Sequence, residues 1–387
     1  MLPRTTTIGI GAEDLSDLRQ RLARTRWPDQ PPGPPWQTGT DLAYLRDLVD
    51  YWRTSYEWPR REALLNRLRQ FRVTLDGIDV HFIHEPGVGP APMPLLLLHG
   101  WPSSIVEFTR LIPLLTDPAA HGGRAEDAFT VIAPSLPGFT LSFASGQPRS
   151  SIARIASTLA TLMRDVLGYG HFAAHGGDWG AHVAARLAYT QAQRLLGIHL
   201  TMIVLPSATG ASGKSADERD FREAVRRWNR EESGYATLQA TRPQTLAYAL
   251  NDSPSGLAAW ILEKFRAWSD CGGELERRFS RDELLDNIVL YWFSGCINSS
   301  FWPYYARVHQ EATLPAGAKL QVPTGFAAFP AGAVHVPRSL AERAYDIRRW
   351  QVMPAGGHFP ALEEPVALAG ELREFFRPLR STAERLD

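Results

Sequence analysis

His175-Gly176-Gly177-Asp178-Trp179-Gly180-Ala181-His182 decides how this 387-residue chain is read. Before it, Gly170-His171-Phe172-Ala173-Ala174 is a short apolar segment that reads as a buried strand. After it, Ala181-His182-Val183-Ala184-Ala185-Arg186-Leu187-Ala188-Tyr189 has alanine-rich helical periodicity. A strand, a sharp turn and a helix are therefore joined through Gly-x-Asp-x-Gly, the small-x-nucleophile-x-small pattern of a nucleophile elbow. So tight a turn strains its central residue and needs neighbours without side chains. The plainer alternative is that Asp178 only caps the helix, which an Asp does well. That alternative weakens as the rest of the chain is read.

Composition sets the frame. Hydrophobic residues make up 44% of the chain and charged residues 21%, as in an ordinary soluble globular protein with ample core. Lys+Arg and Asp+Glu number 41 each, so no net charge favours nucleic acid or an anionic membrane. Lysine occurs only at 214, 264 and 319, and this arginine bias reads as a GC-rich genome rather than as arginine chemistry. Cys271 and Cys296 lack metal-ligand spacing and exclude a disulfide scaffold. The first ten residues do not form a secretory signal, and no apolar run approaches the ~18–20 residues of a membrane span. A cytoplasmic protein without nucleic-acid or membrane partners is expected.

Going outward from the turn, residues 1–70 read as a helical and meandering extension. A helix over 13–26 is followed by a proline-dense strap from Trp27 to Trp36, then two helical patterns over 41–70 broken at Trp58-Pro59. Phe71 to His84 alternates around Asp76-Gly77 and predicts a hairpin. Strands at 94–98, 129–133, before Asp178 and at 197–204, alternating with helices, predict a mostly parallel sheet over 71–205 covered on both faces. Residues 206–315 lose the strand signal and become helical and aromatic, with Trp228, Trp260, Trp268, Trp292 and Trp302. They read as a lid over the carboxyl edge of the sheet, where open α/β sheets bind ligands. Residues 316–387 return to the core, with strands at 322–329 and 349–353 and a helix over 362–376.

Asp178 needs partners. His358, in Met353-Pro354-Ala355-Gly356-Gly357-His358-Phe359, stands in a loop just past the last strand, where a water-activating base belongs. His99-Gly100-Trp101-Pro102 also follows a buried strand, at the place where α/β-hydrolases put one oxyanion-hole N–H, the other belonging to Trp179.

With these stretches in place, the chain resembles the epoxide hydrolases of the α/β-hydrolase superfamily, in the microsomal and juvenile-hormone branch with its N-terminal extension. The resemblance rests on His99-Gly100-Trp101-Pro102, His175 to Gly180, Asn251-Asp252-Ser253-Pro254-Ser255-Gly256, Tyr291 to Ser300 and Gly356-Gly357-His358-Phe359. It implies an α/β-hydrolase fold, Asp178 as nucleophile and His358 as base. Tyr235 and Tyr304 become the lid tyrosines that hold the epoxide oxygen, one residue of slip exchanging Tyr304 for Tyr305. Trp101 and Trp179 become the oxyanion hole. The partners are a small-molecule epoxide and water, no metal or organic cofactor is required, and a homodimer stays open as the assembly. Bacterial relatives acting on polyketide- and enediyne-derived aryl epoxides make a bulky lipophilic or aryl epoxide the expected substrate.

The chain departs from the family pattern at one place. The acid that orients the His belongs two residues after Phe329-Pro330, and Gly332 stands there. Glu311, Glu342 and Asp346 are nearby in sequence and are candidates to replace it. Two other readings stay open: a dehalogenase using the same Asp, with Trp179 as a halide donor, and a non-catalytic binding protein on the same fold, which Gly332 favours.

Overall fold

A computed structural model describes residues 2–206, 215–332 and 334–380. Its centre is a nine-stranded sheet of β1 (Arg4–Thr6), β2 (Gln70–Leu75), β3 (Ile78–Glu85), β4 (Met93–Leu98), β5 (Phe129–Pro134), β6 (Phe172–Gly176), β7 (Leu195–Leu200), β8 (Leu320–Ala328) and β9 (Tyr345–Val352). The order is β1-β2-β3-β5-β4-β6-β7-β8-β9. Pairing is antiparallel from β1 to the β3–β5 contact and parallel from there on. This is the α/β-hydrolase architecture, and the reversal of strand order around β4 opens its carboxyl edge to a ligand.

The sequence dictates these elements locally. Asp76 and Gly77 both take positive φ, 51° and 77°, the pair a tight hairpin turn requires. In β4 the run Leu95–Leu98 is buried along its whole length, as a strand covered on both faces must be.

Helices α1 (Ala12–Ala23), α2 (Leu42–Thr54) and α3 (Trp58–Leu65) form the N-terminal extension. The strap between Trp27 and Trp36 is irregular and lies on protein, as its composition predicts: Arg46 sits over the Trp27 ring and Arg266 over Trp36. Core helices α4 (Leu111–Thr116), α5 (Ile152–Thr161) and α6 (Asp178–Thr190) precede a purely helical stretch among the described residues. That stretch is α7 (Ala216–Glu231), α8 (Gly234–Thr241), α9 (Pro243–Asp252), α10 (Pro254–Trp268), α11 (Arg281–Ser294), α12 (Ile297–Ser300) and α13 (Trp302–His309). α14 (Arg338–Ala341), α15 (Pro360–Glu363) and α16 (Pro365–Phe376) finish the core.

Two expectations are corrected. The strand expected at 197–204 ends at Leu200, because Ile203 and Val204, although buried, lie in the following loop, whose Val204 carbonyl accepts the Tyr345 hydroxyl at 2.6 Å. The closing helix is broken at Glu364-Pro365, since proline cannot donate the hydrogen bond that would continue α15. No described helix is long and apolar enough to cross a membrane.

Candidate active site

At the end of β6 the chain turns into α6 with almost no clearance. A Cβ on Gly176 would lie 2.4 Å from the carbonyl carbon of Gly180, and one on Gly180 2.0 Å from the Leu98 carbonyl oxygen. Because these positions carry no side chain, α6 starts directly against β4 and Asp178 is forced to φ 44°, a conformation costing an ordinary residue about 1–3 kcal/mol. The side chain is thereby lifted out of its own helix: Asp178 Oδ1 accepts the Trp101 amide at 2.7 Å, and the Trp179 amide also acts on the carboxylate. Oδ2 faces His358 Nε2 at 3.6 Å. An imidazole facing the carboxylate removes the plain helix-cap reading.

The loop carrying Trp101 is held from the α11 side. Asn287 Nδ2 donates to the Pro102 carbonyl at 2.7 Å and the Tyr291 hydroxyl to that of Ser103 at 2.9 Å. His358 is held from α10, its amide donating to the Trp268 carbonyl at 2.8 Å. Asp270, just beyond α10, accepts the Gly356 amide at 3.0 Å.

Above the carboxylate is a cavity of about 260 Å³ lined by Asp178, Trp179, Trp228, Tyr235, Trp268, Tyr304 and His358, among others. Tyr235 stacks on the Trp101 ring, and the Tyr304 ring stands 5.8 Å from that of Tyr235. The Tyr304 hydroxyl is buried, and the polar groups acting on it at close range are the Tyr235 hydroxyl and the Trp179 side chain. Tyr305 turns away, packing on Trp302 and His309. Of the two adjacent tyrosines, Tyr304 is the one that reaches the cavity.

Electrostatics separate the groups. Burial alone would raise the Asp178 carboxyl, but His358 and the amides of Trp101 and Trp179 outweigh it and hold it below the ordinary value. Burial alone would lower His358, but Asp178, with smaller help from Glu107 and Glu363, raises it. Both phenols are pushed up, by burial first, so they remain protonated donors. Among the described residues no cluster of three or more His, Cys, Asp or Glu is placed to hold a metal.

All six residues singled out from the sequence meet here; the proposed replacements for the acid do not. Glu311 pairs with Arg186, Glu342 with Arg338 and Asp346 with Arg348, on the outside of the core. Gly332 lines the cavity with φ +88°, and a Cβ on it would stand 1.9 Å from the Trp268 carbonyl oxygen. No acid fits there while α10 ends where it does. Sequence reading missed Glu107, a lone acid in an apolar run, Glu363, one of an acidic pair before Pro365, and Lys264, whose Nζ lies 4.7 Å from the centre of the Tyr235 ring.

Comparison with known proteins places this geometry. Residues 3–108 match the family described as epoxide hydrolase N terminus and residues 93–252 the alpha/beta hydrolase fold. A Stigmatella aurantiaca (strain DW4/3-1) protein bearing the epoxide hydrolase name is 46% identical over 97% of this chain and 84% of its own. Epoxide hydrolase 1 of Oryctolagus cuniculus is 39% identical over 94% of this chain and 86% of its own. The chain belongs to the epoxide hydrolase family. The crystal structure of juvenile hormone epoxide hydrolase from the silkworm Bombyx mori superposes on this hydrolase with a TM-score of 0.84. It covers 98% of this chain and 94% of the silkworm chain at 30% identity. Relatives of both kinds extend over nearly the whole hydrolase, extension included.

Proposed function

We propose that this epoxide hydrolase opens a bulky lipophilic or aryl epoxide to a vicinal diol through an ester on Asp178. The observation that carries the reading is the division of labour within one carboxylate: Oδ1 is held by the Trp101 amide while Oδ2 faces His358 at 3.6 Å beneath two buried phenols. An alkoxide is a poor leaving group unless its oxygen receives a hydrogen bond. Tyr235 and Tyr304, buried, protonated and lining the cavity, supply two. Oδ2 attacks a ring carbon as the C–O bond breaks, and no base is needed because the carboxylate is already ionised.

Ester formation then changes the base. Asp178 loses its charge, and with it goes the strongest interaction raising His358. Burial now favours neutral imidazole, so the base is released for use when there is an ester to hydrolyse. His358 takes a proton from water, and the hydroxyl oxygen bonds to Cγ of Asp178. The amides of Trp101 and Trp179 hold the charge that collects on Oδ1. Collapse breaks the ester bond; the His358 imidazolium and the new carboxyl O–H pass water's two protons to the two oxygens of the departing diol, which restores the carboxylate and the base. The aromatic walls formed by Trp179, Trp228 and Trp268 favour an apolar, ring-bearing substrate.

Single turnover of a styrene-type epoxide in ¹⁸O water tests the route. The first diol should carry oxygen from the protein, and the peptide containing Asp178 should gain the label. Label in the first diol would mean direct attack by water. Halide release from matched haloalkanes, measured alongside, tests the dehalogenase reading.

A further inference from the structure

The ester mechanism leaves the imidazolium of His358 without the acid that the family pattern places at position 332. We infer that Glu107 is a positioning residue for the hydrolytic step: the carboxylate that balances the His358 imidazolium in place of the acid excluded at Gly332. This rests on the ester reading above.

Elimination comes first. Position 332 is blocked by the Trp268 carbonyl, and Glu311, Glu342 and Asp346 face elsewhere. Asp270 is taken by the Gly356 amide and Arg278, and Glu364 by Arg278. Glu363 has both oxygens committed, accepting the Phe359 amide at 2.9 Å and the Asp270 amide at 2.7 Å, so it pins the histidine loop. Among the described residues, Asp178 is the only carboxylate at ion-pair distance from His358, and its charge is consumed when the ester forms.

Glu107 differs from all of these. It lies in the single 3-10 turn Ile105–Phe108, directly after the loop that carries Trp101, and this turn packs against α15, the helix that follows His358. The one hydrogen bond to its side chain among the described residues comes from the Ser103 hydroxyl, at 2.6 Å, and Ser103 is itself bonded to Gly100. The carboxylate of this partly buried residue is thus tied to the floor of the site, and among the described residues no cation pairs with it. The nearest guanidinium in sequence, Arg110, is engaged by Glu283 and the Leu362 carbonyl. The ionisable groups acting on Glu107 are His358, Asp178 and Glu363; burial raises its carboxyl to about 7, opposed by Ser103 and His358. After Asp178 is esterified, Glu107 is the larger of the two remaining negative influences on His358. A proton arriving on His358 favours ionised Glu107, and ionised Glu107 favours that proton.

The test is stopped-flow single turnover with a styrene-type epoxide, which separates ester formation from ester breakdown, on Glu107→Gln. The isosteric amide can still accept from Ser103. Expected is an unchanged ester-formation rate, ester breakdown slowed about tenfold or more, and its acid limb moved to lower pH, since each pK unit lost by the base is a factor of ten. Ser103→Ala, which unties Glu107 but leaves it in place, should move the limb in the same direction by less and carries the test if the first variant does not fold. Glu363→Gln, which removes the weaker influence and unpins the histidine loop, should lower thermal stability and move the limb less than Glu107→Gln does. Unchanged ester breakdown and pH limb in folded Glu107→Gln overturn the inference, as does equal slowing of both phases, which would mean a merely structural role. If the unsubstituted enzyme forms no ester, the reading beneath it falls first.

Discussion

Two turns at the carboxyl edge of the sheet make an instructive pair. Both are crowded to the limit, yet one presents a side chain and the other forbids it. At the end of β6, glycines 176 and 180 absorb the crowding, so Asp178 can project into the cavity at the cost of a left-handed backbone. Past β8 the crowding falls on residue 332 itself, where the Trp268 carbonyl occupies the volume a side chain would need. The difference teaches that a functional side chain depends as much on which neighbours are empty as on its own identity.

Substitutions can break or sharpen this contrast. Asp178→Ala removes the projecting group and keeps the turn. It should abolish turnover by about 10⁴-fold or more, the scale seen when a covalent nucleophile is deleted, with little change in thermal unfolding. Retained turnover would reduce the elbow to architecture. His358→Gln should reduce steady-state turnover by about 10²–10⁴-fold. Ring opening should continue, so an alkyl-enzyme heavier by the mass of the epoxide accumulates and is visible by intact-protein mass spectrometry. Failure to open the ring would reverse the roles given to the two residues.

A smaller effect is expected at the roof. Tyr304→Phe deletes one of two donors to the epoxide oxygen and should slow ester formation by about 10²-fold, as loss of one oxyanion donor does, while ester breakdown stays near its original rate. The smallest catalytic effect belongs to the second turn. Gly332→Asp restores the acid in sequence but not in space. It should destabilise the protein by about 1–3 kcal/mol in urea unfolding, from the positive φ and the overlap with Trp268, and bring no gain in ester breakdown. A faster, equally stable variant would show that the end of α10 yields easily, and the contrast between the turns would dissolve.

Much of this was legible before the structure. The elbow announces itself because glycine spacing, strand and helix signals all point to one turn, and the His358 loop because Gly-Gly precedes it past a last strand. The sheet followed from alternating elements, and even the proline strap from its paired tryptophans. Glu107 was not legible, since an acid inside an apolar turn has no periodic signature and acquires meaning only when the fold brings α15 against it. Nor could sequence show why position 332 is empty. The obstruction comes from the backbone of residue 268, and backbone carbonyls leave no mark in a string of side chains. The strand misread at Ile203 and Val204 has the same origin: apolar residues can be buried under a loop as well as in a ladder.

The hydrogen bond that the His358 amide donates to the Trp268 carbonyl makes the roof and the base one mechanical part. If the C-terminal end of α10 were to lift like a hatch, it would drag the imidazole off the carboxylate and disarm the machinery at each admission. The spacing between base and nucleophile is therefore only as steady as the end of that helix, and a substitution there reaches the proton acceptor without touching the substrate.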